Sequence, residues 1–157
     1  MRKVSYNSIE RAPEVQPTNP KMLDIQMYNI IAVDISGRHK INDRYYMVCA
    51  AVSVSITAEH IEKVNQIKIK PFWLDSAPEL TDIIQVIEDT AKEIEFDGTI
   101  ITEHGEMYNQ PERVVASMFS RDFKYQESLG DRSSIELAHH ISLCTRNLLL
   151  SELGIES

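Results

Sequence analysis

The feature that most constrains the fold is a pair of apolar runs separated by a short polar segment. Residues 28–33 are nearly all apolar, which is typical of a strand buried on both faces. That run stops at Asp34, and residues 35–43 are predicted to form a turn. Residues 45–56 follow as a longer run rich in valine and tyrosine. The two runs therefore predict an antiparallel hairpin.

The rest of the chain alternates between strand and helix patterns. Residues 58–70 are predicted to be a short helix and a connection, with an edge strand around residues 67–69 left open as an alternative. The later elements are predicted as helix 78–94, strand 99–102, helix 110–119, strand 122–128 and helix 131–153. Such alternation implies parallel strands joined by helical crossovers. The expected fold is α/β, with a mixed sheet flanked by helices.

Length and composition set the domain prediction. The chain has 157 residues, 43% of them hydrophobic, which suits one domain with its own core. Residues 1–26 hold three of the six prolines, and we predict an extended N-terminal arm there. The single domain is predicted to occupy residues 27–157.

Charge and apolar patterning bear on location and partners. No apolar run is long enough to cross a bilayer, and residues 1–10 lack the apolar core of a secretory signal, so we expect a cytoplasmic protein without membrane contact. The formal net charge of −8 disfavours binding to a phosphate backbone. A metal-dependent nuclease is compatible with that charge, because its site needs acidic residues and the bound cations invert the local field.

Three acids occupy places where a metal site could form. Asp34 ends the first strand, Glu103 ends a later one, and Asp131 opens the last helix. If the two strands are parallel neighbours, their carboxyl ends meet at one edge of the sheet. A helical projection puts Asp131 on the apolar arc, where a carboxylate needs a partner such as Mg²⁺ or Mn²⁺. The alternative is that the three acids cap a turn, face solvent and cap a helix, respectively.

Two further groups have open interpretations. A basic cluster lies beside Asp34 and consists of Arg38, His39, Lys40 and Arg44; it either contacts substrate phosphates or is a solvated turn. Residues 71–74 contain the only tryptophan and either form a base-stacking or partner surface or pack a connecting loop onto the core. The outer face of the last helix, with Glu136, His139 and His140, is expected to face solvent or a partner, including a second copy of the chain.

Two segments resemble a known family. Residues 33–39, Val-Asp-Ile-Ser-Gly-Arg-His, resemble the Asp-Glu-Ala-Gly-Arg-Gly opening of type 2 ribonucleases H. Residues 129–141 are similar to that family's Gly-Asp segment, and Cys-Thr-Arg-Asn-Leu at residues 144–148 to its Val-Thr-Arg-Asp run. The resemblance spans about residues 28–150 and also suits an uncharacterised archaeal branch of the ribonuclease-H-like fold.

The resemblance implies a function and a set of residues. The function is hydrolysis of nucleic-acid phosphodiester bonds with Mg²⁺ or Mn²⁺, and the alternative is a non-catalytic binding or assembly module. The catalytic and metal-binding carboxylates would be Asp34, Glu103 and Asp131; the substrate-binding residues would be Gly37, Arg38 and Lys40. The sequence departs from the family at Ile35, which replaces the second acid, and at His39, which replaces the last glycine. Glu106 competes with Glu103 for the middle position.

Overall fold

The computed structural model describes residues 26–155. The predicted arm therefore lies, except for Gln26, outside the described residues. The first half of the described chain forms four strands: β1 (Tyr28–Ser36), β2 (Lys40–Ile41), β3 (Arg44–Ile56) and β4 (Ile61–Leu74). The second half forms helix α1 (Leu80–Ala91), strand β5 (Thr99–Thr102), a 3-10 helix (His104–Met107), helix α2 (Glu112–Ala116), strand β6 (Phe123–Tyr125) and helix α3 (Leu129–Leu153).

The strands form one mixed sheet around β1. β1 pairs with β3 antiparallel on one side and with β5 parallel on the other. β4 pairs antiparallel with β3, β6 pairs parallel with β5, and the short β2 pairs with the first residues of β3. The predicted α/β class, the front hairpin and the later parallel strands are confirmed. Because the chain leaves β1 toward β3 and returns on the other side at β5, the carboxyl ends of β1 and β5 meet at a topological switch point.

The two faces of β1 pack against different helices. Ile31, Val33 and Ile35 belong to the core cluster that contains residues of α1 and α2. Ile30 and Ala32, on the opposite face, belong to the cluster that contains residues of α3. Since side chains alternate along a strand, the next position on the α3 face is residue 34. The register of β1 therefore directs the carboxylate that follows the apolar run toward the middle of α3.

The helix predicted within residues 58–70 is wrong, because this segment forms most of β4. The spacing of three between Ile61, Val64 and Ile67 imitates a helical repeat. The β3–β4 register shifts between Ser53 and Val54 and again between Ser55 and Ile56. Irregular pairing at these points breaks the strict alternation that a strand normally shows. Continuous pairing with β3 decides the structure, and the suspected edge strand at residues 67–69 is confirmed.

Smaller differences concern helix ends and the tryptophan segment. α3 begins at Leu129, two residues before the predicted start, because Ser128 forms its N-cap. α2 is shorter than residues 110–119. Residues 71–74 end β4 instead of forming a connecting loop, and Trp73 is 63% exposed while Phe72 and Leu74 pack against the core. None of the helices within residues 26–155 has the length and hydropathy of a membrane span.

Candidate functional site

Asp34 is the buried carboxylate at the centre of the site. It lies in β1, opposite Ala50 of β3, and only 7% of the residue is exposed. Its Oδ2 accepts a hydrogen bond of 2.9 Å from Ser142 Oγ and lies 3.1 Å from His139 Nδ1. Ser142 Oγ is also 2.7 Å from Ser36 Oγ. Two side chains of α3 thus fix the orientation of Asp34.

Glu106 is a second buried carboxylate beside Asp34. It lies in the 3-10 helix after β5 and is 9% exposed. Its Oε2 accepts hydrogen bonds from the Ile35 backbone N–H (3.2 Å) and from the Arg38 guanidinium (2.7 Å). Burial, and then the negative charge of Asp34, raise the pKa of Glu106 to about 7, although Arg38 acts in the opposite direction. Two carboxylates that are buried beside each other repel, so an additional positive charge would stabilise this site.

Arg38 ties the end of β1 to the loop after β5. It donates a second hydrogen bond, 2.8 Å long, to the backbone carbonyl of Glu106, and its guanidinium lies 5.3 Å from the centre of the Tyr108 ring. Tyr108 and Asn109 both have positive φ angles, 55° and 58°. Consecutive non-glycine residues in that region cost conformational energy, and such strain concentrates at functional sites.

One oxygen of each buried carboxylate stays available. Asp34 Oδ1 and Glu106 Oε1 accept no hydrogen bond from any residue in the described range. In that range, only two side-chain nitrogen or oxygen atoms are both fully buried and without a hydrogen-bond partner, namely Ser53 Oγ and Gln126 Oε1. The free oxygens of Asp34 and Glu106 must therefore contact solvent, so each can be offered to a cation.

Glu103 lies at the same edge of the sheet as Asp34. Ala32 of β1 pairs with Ile101 of β5, and the backbone remains extended through Glu103 (φ −82°, ψ 158°). Continuing this register by two residues brings Glu103 level with Asp34 and on the same face. Its side chain is exposed. The sequence hypothesis thus placed Glu103 at the correct edge, but Glu106, its competitor, is the acid that is buried beside Asp34.

Asp131 lies at the opposite end of the sheet. Its Oδ2 accepts hydrogen bonds from the backbone N–H groups of Glu127 (2.8 Å) and Ser128 (3.2 Å), which completes a capping box. The adjacent Gly130 donates to Ala58 O, just beyond Ile56, which pairs with Tyr28. Tyr28 is six residues before Asp34, or about 20 Å along the strand. The structure therefore does not bring Asp131 to Asp34. The buried Asp131 carboxylate has backbone N–H groups as its hydrogen-bond partners, in place of the expected cation.

The predicted substrate-binding residues surround the end of β1. Gly37 has a φ of +106°, and a Cβ there would lie 2.1 Å from Tyr46 O and 2.3 Å from Arg146 Nε. Only glycine tolerates that conformation and that approach without displacement. Lys40 is exposed in β2, while Arg38 is half-buried against Glu106.

Sequence reasoning missed the contribution of α3. His139 was predicted to face solvent, and its side chain is 51% exposed, yet Nδ1 contacts Asp34. Ser142 is fully buried three residues later. Ser142 lies on the apolar face of α3, and a polar side chain there indicates that a polar group of the sheet lies opposite as its hydrogen-bond partner.

The donor set suits a hard cation with few protein ligands. No cluster of three or more histidine, cysteine or acidic side chains arranged to hold a metal occurs within residues 26–155. Mg²⁺ commonly needs only one or two carboxylates, with water and substrate phosphates completing its shell. Asp34 and Glu106 are the two buried carboxylates at this end of the sheet that could serve as such ligands.

Comparison with known proteins gives a family and no function. Residues 31–150 match the family described as "Uncharacterized protein conserved in archaea (DUF2209)". An uncharacterized protein of Methanocaldococcus jannaschii is 32% identical over 127 residues, which cover 78% of this chain and 97% of that protein. No solved structure matches the chain.

Proposed function

We propose that this chain, which belongs to the archaeal family DUF2209, hydrolyses phosphodiester bonds of nucleic acid with the help of Mg²⁺ or Mn²⁺. The observation that carries the proposal is the pair of buried carboxylates, Asp34 and Glu106, at the switch point of the sheet, each with one oxygen free. Ligands of open α/β sheets bind outside the carboxyl ends of the strands, at such a point.

The sheet topology supports a ribonuclease-H-like assignment. The resemblance implies an antiparallel hairpin followed by parallel strands, with an acid at the end of the first strand. Here β1 and β3 form the hairpin, β5 and β6 are the parallel strands, and Asp34 lies on the central strand β1. The chemistry that the family resemblance implies would therefore use Asp34, on the strand where the resemblance expects an acid.

In the proposed reaction, the carboxylate side chains would bind the metal ion. Asp34 and Glu106 would hold the ion, with Glu103 as a further carboxylate at the same edge of the sheet. A bound Mg²⁺ or Mn²⁺ supplies Lewis acidity toward the phosphate and lowers the pKa of water. Burial and the charge of Asp34 raise the pKa of Glu106, and a bound cation would lower it by stabilising the ionised carboxylate.

The remaining polar residues would position the groups that react. Ser142 and His139 keep Asp34 oriented. Arg38 and Lys40, at the same end of the sheet, would hold the phosphates of the strand to be cut. Arg38 already lies against Glu106, so a substrate phosphate would share a guanidinium that the protein has placed.

Cleavage of end-labelled RNA, DNA and RNA–DNA hybrid, with Mg²⁺, Mn²⁺ or EDTA, tests the proposal. We expect metal-dependent cleavage by the unmodified protein and a loss of at least about a hundredfold in Asp34→Asn. Asp122→Asn is the matched control, since Asp122 is an exposed acid at the other end of the sheet. Equal cleavage by Asp34→Asn and the unmodified protein would contradict the proposal.

One observation favours the alternative of a non-catalytic binding module. Arg38 forms an ion pair with Glu106, and Asp131 is used in a helix cap, so the three acids expected from the sequence do not form one cluster. A module of this kind would bind its partner equally well in EDTA and would cut none of the three substrates.

A further inference from the structure

We propose that a groove beside the carboxylate site binds one nucleotide of a single-stranded nucleic acid, with its phosphate on Arg146 and its base against Trp73. The groove lies between the end of β4, the start of β3 and the last turns of α3, and has a volume of about 380 Å³. Residues that shape it include Tyr46, Phe72, Trp73, Arg146, Leu149 and Leu153.

Arg146 is anchored in a way that leaves its guanidinium available. Its Nε donates a 2.7 Å hydrogen bond to Tyr46 O, which fixes the side chain across Gly37. The two terminal nitrogens donate to no residue in the described part of the chain. Burial lowers the pKa of Arg146. An arginine guanidinium is always charged at neutral pH. A fixed guanidinium with two free N–H₂ groups is suited to a phosphate, which it can bind through two parallel hydrogen bonds.

Trp73 supplies the flat apolar surface of the groove. The residue is 63% exposed although the Arg44 guanidinium lies 5.9 Å from the centre of its ring. An exposed indole next to arginine is a common arrangement for stacking nucleobases without sequence preference. Leu149 and Leu153 of α3 extend the apolar lining of the groove.

The groove lies on the same side of the sheet end as the carboxylate site. Arg146 packs on Gly37, which is three residues after Asp34, or about 10 Å along the chain. Arg38, Lys40 and Arg44 lie along the same end of the sheet. Arg38 pairs with Glu106 and Arg44 with Asp75, so among the described residues near the groove the cations that pair with no carboxylate are Lys40 and Arg146. This inference rests on the proposed function, because it takes the ligand to be a nucleic-acid strand.

Glu152 provides a sharp electrostatic test of what the groove binds. Its exposed carboxylate lines the same groove as Arg146. An anionic ligand would be repelled by Glu152, so Glu152→Gln should tighten binding. An apolar peptide or a second copy of the chain would be indifferent to the change or weakened by it.

The single tryptophan gives a direct readout. Trp73 is the only tryptophan of the chain, so its fluorescence reports on this groove alone. The probe is a single-stranded twelve-residue oligothymidylate, titrated in EDTA at low salt so that cleavage plays no part. We expect quenching of Trp73 emission by stacking, and a dissociation constant about tenfold weaker in Arg146→Ala. Asp122→Asn, at the other end of the sheet, should be quenched as the unmodified protein is. Because binding is measured in EDTA, failure here is distinguishable from failure of metal-dependent cleavage.

A matched control and two outcomes complete the experiment. Arg132→Ala removes the same charge from the exposed first turns of α3, far from the groove, and should leave the dissociation constant unchanged. Equal weakening by Arg132→Ala and Arg146→Ala would overturn the proposal, because it would show non-specific attraction. Concentration-dependent emission without oligonucleotide, together with a dimer in sedimentation, would also overturn it, since a second copy would then cover Trp73.

Discussion

The two ends of the sheet each bury a carboxylate, and they do so by different means. At the amino end of β1, Asp131 accepts hydrogen bonds from two backbone N–H groups and serves the helix that it opens. At the carboxyl end, Asp34 and Glu106 are buried near each other, and the charge of one raises the pKa of the other. Burial alone therefore does not identify a functional acid. The difference lies in the partners: backbone donors for the structural acid, and a like charge with free oxygens for the candidate site.

The largest expected effect concerns the glycine that docks α3 at the amino end. A Cβ on Gly130 would lie 2.1 Å from the backbone carbonyl oxygen of Thr57. Gly130→Ala should destabilise the protein by about 3 kcal/mol, because α3 and the end of β3 must move apart. Denaturant unfolding measures the loss. A stability within 0.5 kcal/mol (roughly the size of an ordinary surface effect) would show that the docking there is loose.

The pH dependence of stability should distinguish the carboxyl end from the amino end. The pKa of Glu106 is about 7 in the folded state, above its ordinary value of 4.5. The folded state thus binds more protons than the unfolded state between these values, so stability should fall as pH rises from about 4.5 to 7, by on the order of 1–3 kcal/mol. Glu106→Gln should remove this dependence; an unchanged pH profile in that variant would assign it to another group.

Asp131→Ala should show the behaviour of the structural acid. It leaves the N–H groups of Glu127 and Ser128 without their acceptor and should destabilise by about 1–2 kcal/mol. Ser128→Ala, which removes the other half of the capping box, should cost a similar amount. Thermal unfolding with and without Mn²⁺ checks both variants. A metal-induced stabilisation missing from Asp131→Ala would instead make Asp131 part of the metal site.

The smallest effect should come from His139. Its side chain is 51% exposed and makes one contact with Asp34. His139→Ala should therefore reduce stability by less than about 1 kcal/mol. If His139 positions Asp34, the same variant should weaken metal binding measured by Mn²⁺ titration while the fold persists. Unchanged Mn²⁺ binding would leave Ser142 as the residue that orients Asp34.

The elements that are local in sequence were predictable, and those that depend on distant partners were not. The apolar runs predicted β1 and β3, and strand–helix alternation predicted the later parallel strands. The parallel pairing of β1 with β5 was only a condition of the site hypothesis. β4 was missed because its apolar residues do not alternate regularly where the register shifts. Its strand structure depends on pairing with β3, which the sequence of β4 alone does not reveal.

The candidate site divides in the same way. Asp34 could be found because it interrupts an apolar strand. The choice between Glu103 and Glu106 could not be made, since it depends on how the short 3-10 helix turns back toward Ile35. The capping role of Asp131 was one of two open interpretations, and only the position of α3 along the sheet separates them.

The most direct test of the account is the linkage between metal and stability. Thermal and chemical unfolding would be measured at low salt, with and without Mn²⁺, for the unmodified protein and Asp34→Asn. At a Mn²⁺ concentration 100 times Kd, linkage predicts about 2.7 kcal/mol of added stability in the unmodified protein. The account predicts that this gain disappears in Asp34→Asn and persists in Asp122→Asn. A gain of equal size in Asp34→Asn, or none in the unmodified protein, would contradict a metal site at the carboxyl end of β1.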